Sequence, residues 1–514
     1  MRLVSPNYVE SKHSRALLSK WDALALGLVG LGLYVATLVP SVLWFDHGGL
    51  QFDAVMGTLR GAAGSHALWV WIAHQFVRIP FGEIAWRANL VSALFAAVTV
   101  GMLYLLLRDL GIQRTSSFLA TLAFLVSHTF WTYAVRADVY SLTMALLVVL
   151  AWASWRWFVT GRRSYLGGAG FVLGLGLMAH PLMLLYVPAT GYLLWCRRKQ
   201  IAYRDFLVGL GAFALGLSPL VIVLVRDAQL MGMNVIQTIR YALFSAGGAD
   251  WGHTFLDFTP RLLAADVLQW ILFLGLQFPG LSGLAGIAGA VGIWKFAKRD
   301  TATYLLLLYL GTMIFSLSYR IGERYAFYLP SYLPYAVWIG VGFDWALERL
   351  KWAGRDKRVK RWVVAISLIL IIGSPVGIYR LLPELTSRGI SVRDTHWVPG
   401  RNAKYFFLWP PKNGYDDPRV FAEDALKETP PGALLLVDHI LAAPIVFLQA
   451  TEGVRPDVSI EYCCGDLQAT LATHDKQTVA LAVVNPERQL TDRIRRDYRV
   501  ENRGPILLFY RREH

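Results

Sequence analysis

Apolar runs of about twenty residues recur along this chain, and no other feature limits its fold so severely. Such a run, coiled into a helix, spans the roughly 30 Å hydrocarbon core of a bilayer. No water is available there, so the backbone must close its own hydrogen bonds, which favours helices. The runs fall at 22–44, 87–107, 116–132, 139–157, 166–179, 181–196, 205–225, 270–294, 302–318, 327–347 and 362–379, which predicts about eleven spanning helices. The fifth and sixth are short, and Met178-Ala179-His180-Pro181 between them predicts two half-length helices meeting at a break. Only 17% of the 514 residues are charged, against about 25% in a soluble domain. The chain therefore reads as an α-helical polytopic membrane protein. No small-residue cleavage site follows the first run, Leu24 to Trp44, so the N-terminus is expected to be retained.

The net charge of +15 would suggest nucleic acid in a soluble chain. Here the basic residues gather in Arg2 to Lys20, Arg108 to Arg114, Arg156 to Arg163, Arg197 to Arg204, Lys295 to Arg299 and Arg349 to Arg361. These blocks alternate with the spans, as the positive-inside rule requires. The charge is thereby explained without nucleic acid. The expected organisation is a cytoplasmic segment 1–20, a membrane domain 21–379 with long outward loops at 45–86 and 226–269, and an extracytoplasmic domain 380–514, in a plasma (inner) membrane. Cys196 lies at a membrane boundary. Cys463 and Cys464 are neighbours, and a bond between neighbours is strained, so none is expected.

The outward loops of the membrane domain carry arginine and no lysine: Arg60, Arg78, Arg87, Arg136, Arg226, Arg240, Arg261, Arg320 and Arg324. Arginine grips phosphate in a planar, bidentate way and tolerates burial. Pairing with Asp53, Glu83, Asp138, Asp227 and Glu323 explains any one of them; an anionic ligand outside the membrane explains the set. Amphipathic stretches near 50–62 and 66–79 suit a lipid interface. The loop 226–269 adds Trp251, His253 and Asp257, and Tyr319-Arg320-Ile321-Gly322-Glu323-Arg324 links two spans. In the C-terminal part, Pro431-Gly432 is a turn, Ala433 to Val437 a buried strand ending in Asp438-His439, Ala442 to Thr451 a helix, and 458–460, 478–484 and 506–510 further strands. That alternation predicts a small α/β domain with a parallel or mixed sheet. No Gly-rich phosphate loop accompanies it.

Two aspartates are the candidate catalytic groups. Asp46, in Trp44-Phe45-Asp46-His47-Gly48-Gly49, is placed by the reading at the outer end of the first span, where a carboxylate can take a proton from an acceptor hydroxyl. Asp138, in Val135-Arg136-Ala137-Asp138-Val139-Tyr140-Ser141, also falls on the outer face. Each has a structural alternative as a helix cap. A lone histidine in an apolar run, as His180 is, is more often a hydrogen-bonded packing residue. No cofactor is required by the residues. A divalent metal would find ligands in His47, His66, His74 and His253 with Asp46 or Asp53, although no spacing demands one.

The string Val39 to Gly49 resembles the first outward loop of a large bacterial family of protein O-mannosyltransferase-like membrane proteins, long classed as a domain of unknown function, whose loop typically reads Trp-x-Asp-(Ser/Cys)-Gly-Glu. Pro80 to Phe95, Arg136 to Leu142, Gly176 to His180, Tyr328 to Ser331 and Gly453 to Val458 also match, so the resemblance covers nearly the whole chain. Arg87-x-Asn89-Leu90-x-Ser92 and Arg455-Pro456-Asp457-Val458 are the most specific stretches. The resemblance implies a GT-C glycosyltransferase fold and a polyprenyl-phosphate-linked sugar donor used on the outer face. It maps the family's loop aspartate onto Asp46 and the acid after span three, usually glutamate, onto Asp138. Gly49 stands where the family usually has glutamate, and sequence around Gly61-Ala62-Ala63-Gly64-Ser65-His66 replaces its His-Pro-Pro-Gly element. Gln51, Asp53 and His66 are the groups placed to compensate.

The implied activity is a glycosyl transfer to an acceptor hydroxyl of a protein, lipid or glycan. A lipid-phosphate sugar brings its own leaving group. The protein then has to hold the phosphate, remove the acceptor's proton and exclude water. Arginine stabilises charge on the departing phosphate. Substrate-binding candidates are His47, Asp53, His66, Arg87, Arg136, His180, Arg240, Arg320 and Arg324. Two other readings remain open: a transporter or flippase for a lipid-linked anion, disfavoured by spans poor in mid-membrane charge, and a non-catalytic binding protein, for which Gly49 is the best argument.

Overall fold

The computed structural model describes residues 12–62, 64–244, 259–321, 324–352, 357–386, 398–463, 467–474 and 478–512. Residues 1–11, Ala63, Trp251, His253, Asp257, Gly322, Glu323 and Cys464, named above, lie outside the described residues.

Among the described residues the membrane part is mainly helical. It runs α1 (Lys12–Ala36), α2 (Phe45–Met56), α3 (Ala67–Val77), α4 (Ile84–Asp109), α5 (Arg114–Leu125), α6 (His128–Ala134), α7 (Tyr140–Thr160) and α8 (Arg163–Ala179). It continues through α9 (Val187–Arg197), α10 (Tyr203–Met231), α11 (Val235–Phe244), α12 (Pro260–Gln277), α13 (Leu281–Phe296), α14 (Arg299–Ser318), α15 (Leu329–Trp352) and α16 (Lys357–Thr386). Among the described residues six helices are long and apolar enough to cross a membrane: α1, α4, α7, α10, α14 and α16. This is a multi-pass membrane protein. The other expected segments are helical too, but shorter, less apolar or broken.

Three expected spans need correction. The first helix stops at Ala36 rather than Trp44, and residues 37–44 run outside any helix. Pro40 explains the stop, because proline lacks a donor and biases its predecessor away from helix. The segment 270–294 is two helices meeting at 118°; Phe278-Pro279-Gly280 makes the corner, with Gly280 at φ 62°. The segment 116–132 breaks between α5 and α6, where the Ser127 hydroxyl donates to Phe124 O at 2.7 Å. Between α8 and α9, a 3₁₀ turn at Pro181–Tyr186 follows the break at His180.

Glycine lets the long helices touch. A Cβ on Gly170 or Gly174 of α8 would overlap backbone of α10, the close approach that small residues permit between membrane helices.

The C-terminal part forms α17 (Ala403–Leu408), α18 (Asp417–Glu428), β1 (Leu434–Val437), α19 (Ala442–Glu452), β2 (Ser459–Tyr462), α20 (Leu467–Thr473) and β3 (Val479–Ala482). It ends with α21 (Pro486–Gln489), α22 (Asp492–Asp497), β4 (Tyr498–Arg503) and β5 (Ile506–Arg511). The sheet is mixed, in the order β2-β1-β3-β5-β4. β1 pairs parallel with β2 and β3, while β5 pairs antiparallel with β3 and β4. The strand β4 was not expected. It is an edge strand, and Arg499, Glu501 and Arg503 alternate with its inward residues, the charged pattern by which natural edges resist further pairing. Cys463 is disulfide-bonded, contrary to the expectation of reduced cysteines, and Cys196 is free.

The two parts share a core. Val42, Trp44 and Ala85 from the membrane side are buried in one cluster with Phe421, Ala422, Ile445 and Leu448. Trp44 meets Phe421 edge-on at 5.1 Å. An aromatic ring removed from water in this way contributes roughly 1.5–3 kcal/mol, so the C-terminal domain is docked by the residues just ahead of Asp46.

Candidate active site

The site begins at the strip 37–45, whose backbone bonds to several separate parts of the chain. Val39 N donates to Val135 O at 2.9 Å, and Phe45 N donates to Ile440 O at 3.1 Å. The Asn89 amide donates to Val39 O at 3.0 Å and Ser41 O at 3.2 Å. Gln51 accepts from Leu43 N at 2.8 Å and donates to Asn89 at 2.8 Å. Both amides are buried, and each finds the partners that burial demands.

The same Asn89 oxygen accepts from Ala137 N at 2.8 Å. One helical turn on, the Ser92 hydroxyl accepts from Asp138 N at 3.1 Å and donates to Asp138 O at 3.0 Å. This is the physical content of the Arg87-x-Asn89-Leu90-x-Ser92 pattern: positions three apart on one face of α4 hold the turn between α6 and α7. Arg87 at the head of the pattern faces elsewhere, donating to Ile79 O and Glu83 O and tying down the preceding loop.

Asp138 is thereby placed with its side chain 5% exposed. One oxygen accepts from Tyr140 N at 3.0 Å, at the start of α7. The other lies 3.0 Å from His47 Nδ1, which is also 3.1 Å from Ala137 O. The two oxygens of Asp138 thus serve different partners, one the start of α7 and the other His47. Asp46 sits one residue before His47, in the first turn of α2, and is exposed. It is not at the end of α1, because that helix stopped at Ala36. Phe45 holds a left-handed conformation (φ 51°), which turns the chain into α2.

His66 and His180 complete the neighbourhood. Their rings stack with centroids 5.1 Å apart, and Tyr140 lies 5.6 Å from His180. His66 Nδ1 is 3.0 Å from Ala179 O, and His180 Nδ1 accepts from Leu182 N at 3.0 Å. Burial pushes the His66 imidazole below its usual range, partly offset by the Ala179 carbonyl and the Asp138 charge. Asp53 is further along α2, 4.0 Å from Arg60, and its burial raises its carboxyl above the ordinary range, with Arg60 opposing. Among the described residues no three of His, Cys, Asp and Glu gather as ligands of a metal would.

The arginines divide. Arg136 is buried beside the Ala137–Asp138 turn, its guanidinium 4.3 Å from the centre of the Tyr133 ring. Arg320 and Arg324 both bind Asp266 of α12, Arg320 at 2.9 Å, and Arg324 also donates to Ser316 O and Leu317 O. Their charge is thus partly spent inside the protein. Arg240 is exposed on α11 and shares none of the contacts above.

Two groups escaped sequence reasoning altogether. Lys412 is buried at the start of the C-terminal domain, donating to Trp409 O and to Pro410 O at 3.2 Å. Arg401 lies 4.6 Å and Lys412 4.9 Å from the centre of the same Phe406 ring. Their signal in the sequence is only a lysine after Trp409-Pro410-Pro411.

Residues 63–202 match the family described as the Protein O-mannosyl-transferase TMEM260 N-terminal domain. Protein O-mannosyl-transferase TMEM260 of Mus musculus is 30% identical over 112 residues, which span 21% of this chain and only 16% of that protein. The structure of ArnT from Cupriavidus metallidurans bound to undecaprenyl phosphate superposes with a TM-score of 0.57 at 12% identity, covering 97% of this chain and 98% of that one. Its apo form gives 0.58 over the same shares. The fold is thus that of the ArnT structures, with a small C-terminal sheet domain.

Proposed function

We propose that this protein O-mannosyltransferase-like chain is a membrane glycosyltransferase that moves a sugar from a polyprenyl-phosphate carrier to an acceptor hydroxyl on the outer face of a plasma (inner) membrane. The observation that carries the reading is the His47–Asp138 pair, at 3.0 Å, at the seam of α2, the α6–α7 turn and the C-terminal domain. A buried carboxylate on one imidazole nitrogen fixes the ring and leaves the other nitrogen for a substrate. Asp46, exposed and one residue before His47, is the carboxylate assigned to take the proton of an acceptor hydroxyl. The undecaprenyl phosphate in the ArnT structure and the mannosyl transfer in the name of the mouse relative support the carrier and the reaction class. A direct attack would break the bond between anomeric carbon and phosphate oxygen, form the new glycosidic bond, and leave the polyprenyl phosphate with the electron pair. The acceptor proton would pass to Asp46.

The test is transfer from synthetic polyprenyl-phosphate sugars by the purified protein in lipid nanodiscs, read by mass spectrometry of the acceptor. Asp46→Asn is expected to lower the rate by about 10²–10⁴-fold. Asp138→Asn is expected to lower it too, with the fold intact. Full activity in Asp46→Asn would remove its assignment as base. No transfer from any donor, with ligand still bound, would favour the binding-protein reading.

A further inference from the structure

A cation buried with only neutral partners needs an explanation. Lys412 is 4% exposed, and its ammonium meets two carbonyls and the face of Phe406. Among the described residues it makes no salt bridge. Its charged neighbours are of its own sign: burial first, then the guanidinium groups of Arg136 and Arg401, hold the ammonium well below the ordinary lysine range. Asp417 interacts electrostatically with Arg401. An ammonium carries three donors, and the two carbonyls use two of them.

The backbone explains why these groups converge. Lys412 N donates to Thr37 O at 2.9 Å, and two residues along the same strip Val39 N donates to Val135 O at 2.9 Å. The strip thus sets Lys412 of one domain beside Arg136 of the other. Moving the Lys412 ammonium out of water costs several kcal/mol, and a hydrophobic side chain of like volume would avoid it. An incoming anion would repay the cost. Arg136 is two residues from Asp138, so that anion would lie next to the His47–Asp138 pair.

We propose that Lys412, Arg136 and Arg401 form an oxyanion site for the phosphate of a polyprenyl phosphate, so that the C-terminal domain supplies part of the donor site. The proposal rests on the transferase reading for the identity of the lipid, and on the cation cluster for the presence of an anion. A phosphate at this place would receive the electron pair of the broken glycosidic bond and hold it between an ammonium and two guanidinium groups.

The experiment measures binding of undecaprenyl phosphate, undecaprenol and inorganic phosphate to the full-length protein in detergent, by native mass spectrometry and thermal stability. Undecaprenyl phosphate is expected to bind, with at least a tenfold loss for undecaprenol. Lys412→Met should bind undecaprenyl phosphate at least tenfold more weakly, and Lys412→Arg within about threefold of the parent. Without ligand, Lys412→Met should be as stable as the parent or more so, since its buried charge is gone. Arg136→Gln gives a second reading on the other domain, with weakened binding again expected. Unchanged binding in both Lys412→Met and Arg136→Gln would overturn the proposal. So would a Lys412→Met protein that loses stability yet keeps its affinity, which marks a structural clamp on the 409–412 turn. Inorganic phosphate binding as tightly as the lipid would overturn the lipid assignment. Binding through Lys412 without sugar transfer would sink the transferase reading and leave this site standing; transfer with a Lys412-independent phosphate would do the reverse.

Discussion

Gly48 and Gly49 are adjacent in α2 and offer a paired test of how the C-terminal domain is held over the site. A Cβ built on Gly49 meets nothing within 4 Å. One built on Gly48 would overlap Leu43 O and stand 2.7 Å from Ala443 Cβ and 3.0 Å from Leu43 C. Ordinary Cβ contacts lie beyond 3.4 Å, and the obstructing atoms are backbone and a methyl that cannot rotate away. Gly49→Ala should therefore show the bare helix-propensity gain of about 1 kcal/mol. Gly48→Ala gains the same term but must displace α19 or the Leu43 peptide. Overpacking of this kind costs roughly 1–3 kcal/mol, and immobile neighbours put it at the upper end, for a net loss of about 1–2 kcal/mol. The assay is thermal unfolding in detergent, with hydrogen exchange over residues 434–448 to localise the change. Gly48→Ala should open that region and lower transfer, while Gly49→Ala leaves both unaltered or improved. Equal stability and exchange in the two variants would refute the idea that α2 and α19 pack as a rigid joint. Gly49→Glu, which restores the residue usual in the family, should be accommodated in the open space.

Two further outcomes follow from the bonding of α4 and α2. Asn89→Ala removes the partner of Ala137 N, two strip carbonyls and Gln51 at once, and should destabilise by about 1–3 kcal/mol for each buried group left unsatisfied, measured by denaturant unfolding; Ser92→Ala should cost less, because only the Asp138 peptide depends on it. Burial raises the Asp53 carboxyl, so the folded state holds that proton more tightly than the unfolded chain does. Stability from this group should therefore rise as pH falls through the folded value and level off below the unfolded one; Asp53→Asn should abolish that acid-side gain, and an unchanged pH profile in the variant would contradict the assignment.

The parts of the molecule legible in the sequence are those governed by period and length. Runs such as 87–107 and 139–157 announce α4 and α7 because a bilayer tolerates little else. Asp46, His47 and Asp138 were visible as polar residues at the ends of such runs. Their pairing was not, since it depends on Asn89 and Ser92 placing the α6–α7 turn, and a pattern of spacings does not say what a side chain three residues on will grasp. Arg320 and Arg324, the phosphate candidates, both pair with Asp266, which falls within the expected loop 226–269 and lies on α12. Lys412 was invisible for a different reason. Its surroundings are assembled from residues as distant as Thr37 and Phe406, and composition cannot report such a meeting.

The segment misread as the end of the first helix turns out to organise the site. Had α1 continued to Trp44, its amides and carbonyls would have bonded to one another. Because Pro40 prevents that, Thr37 O is available to Lys412, Val39 N to Val135, Ser41 O to Asn89 and Phe45 N to Ile440. Buried backbone groups require partners, so each of these bonds fixes a different element against the same short strip. The result places an exposed carboxylate, Asp46, one residue before the histidine that pairs with a buried one, Asp138. A group that must meet an incoming hydroxyl needs access, and a group that must hold an imidazole needs rigidity. One short departure from helix supplies both to the proposed chemistry, at a place where the hydrophobic pattern ceases to be informative.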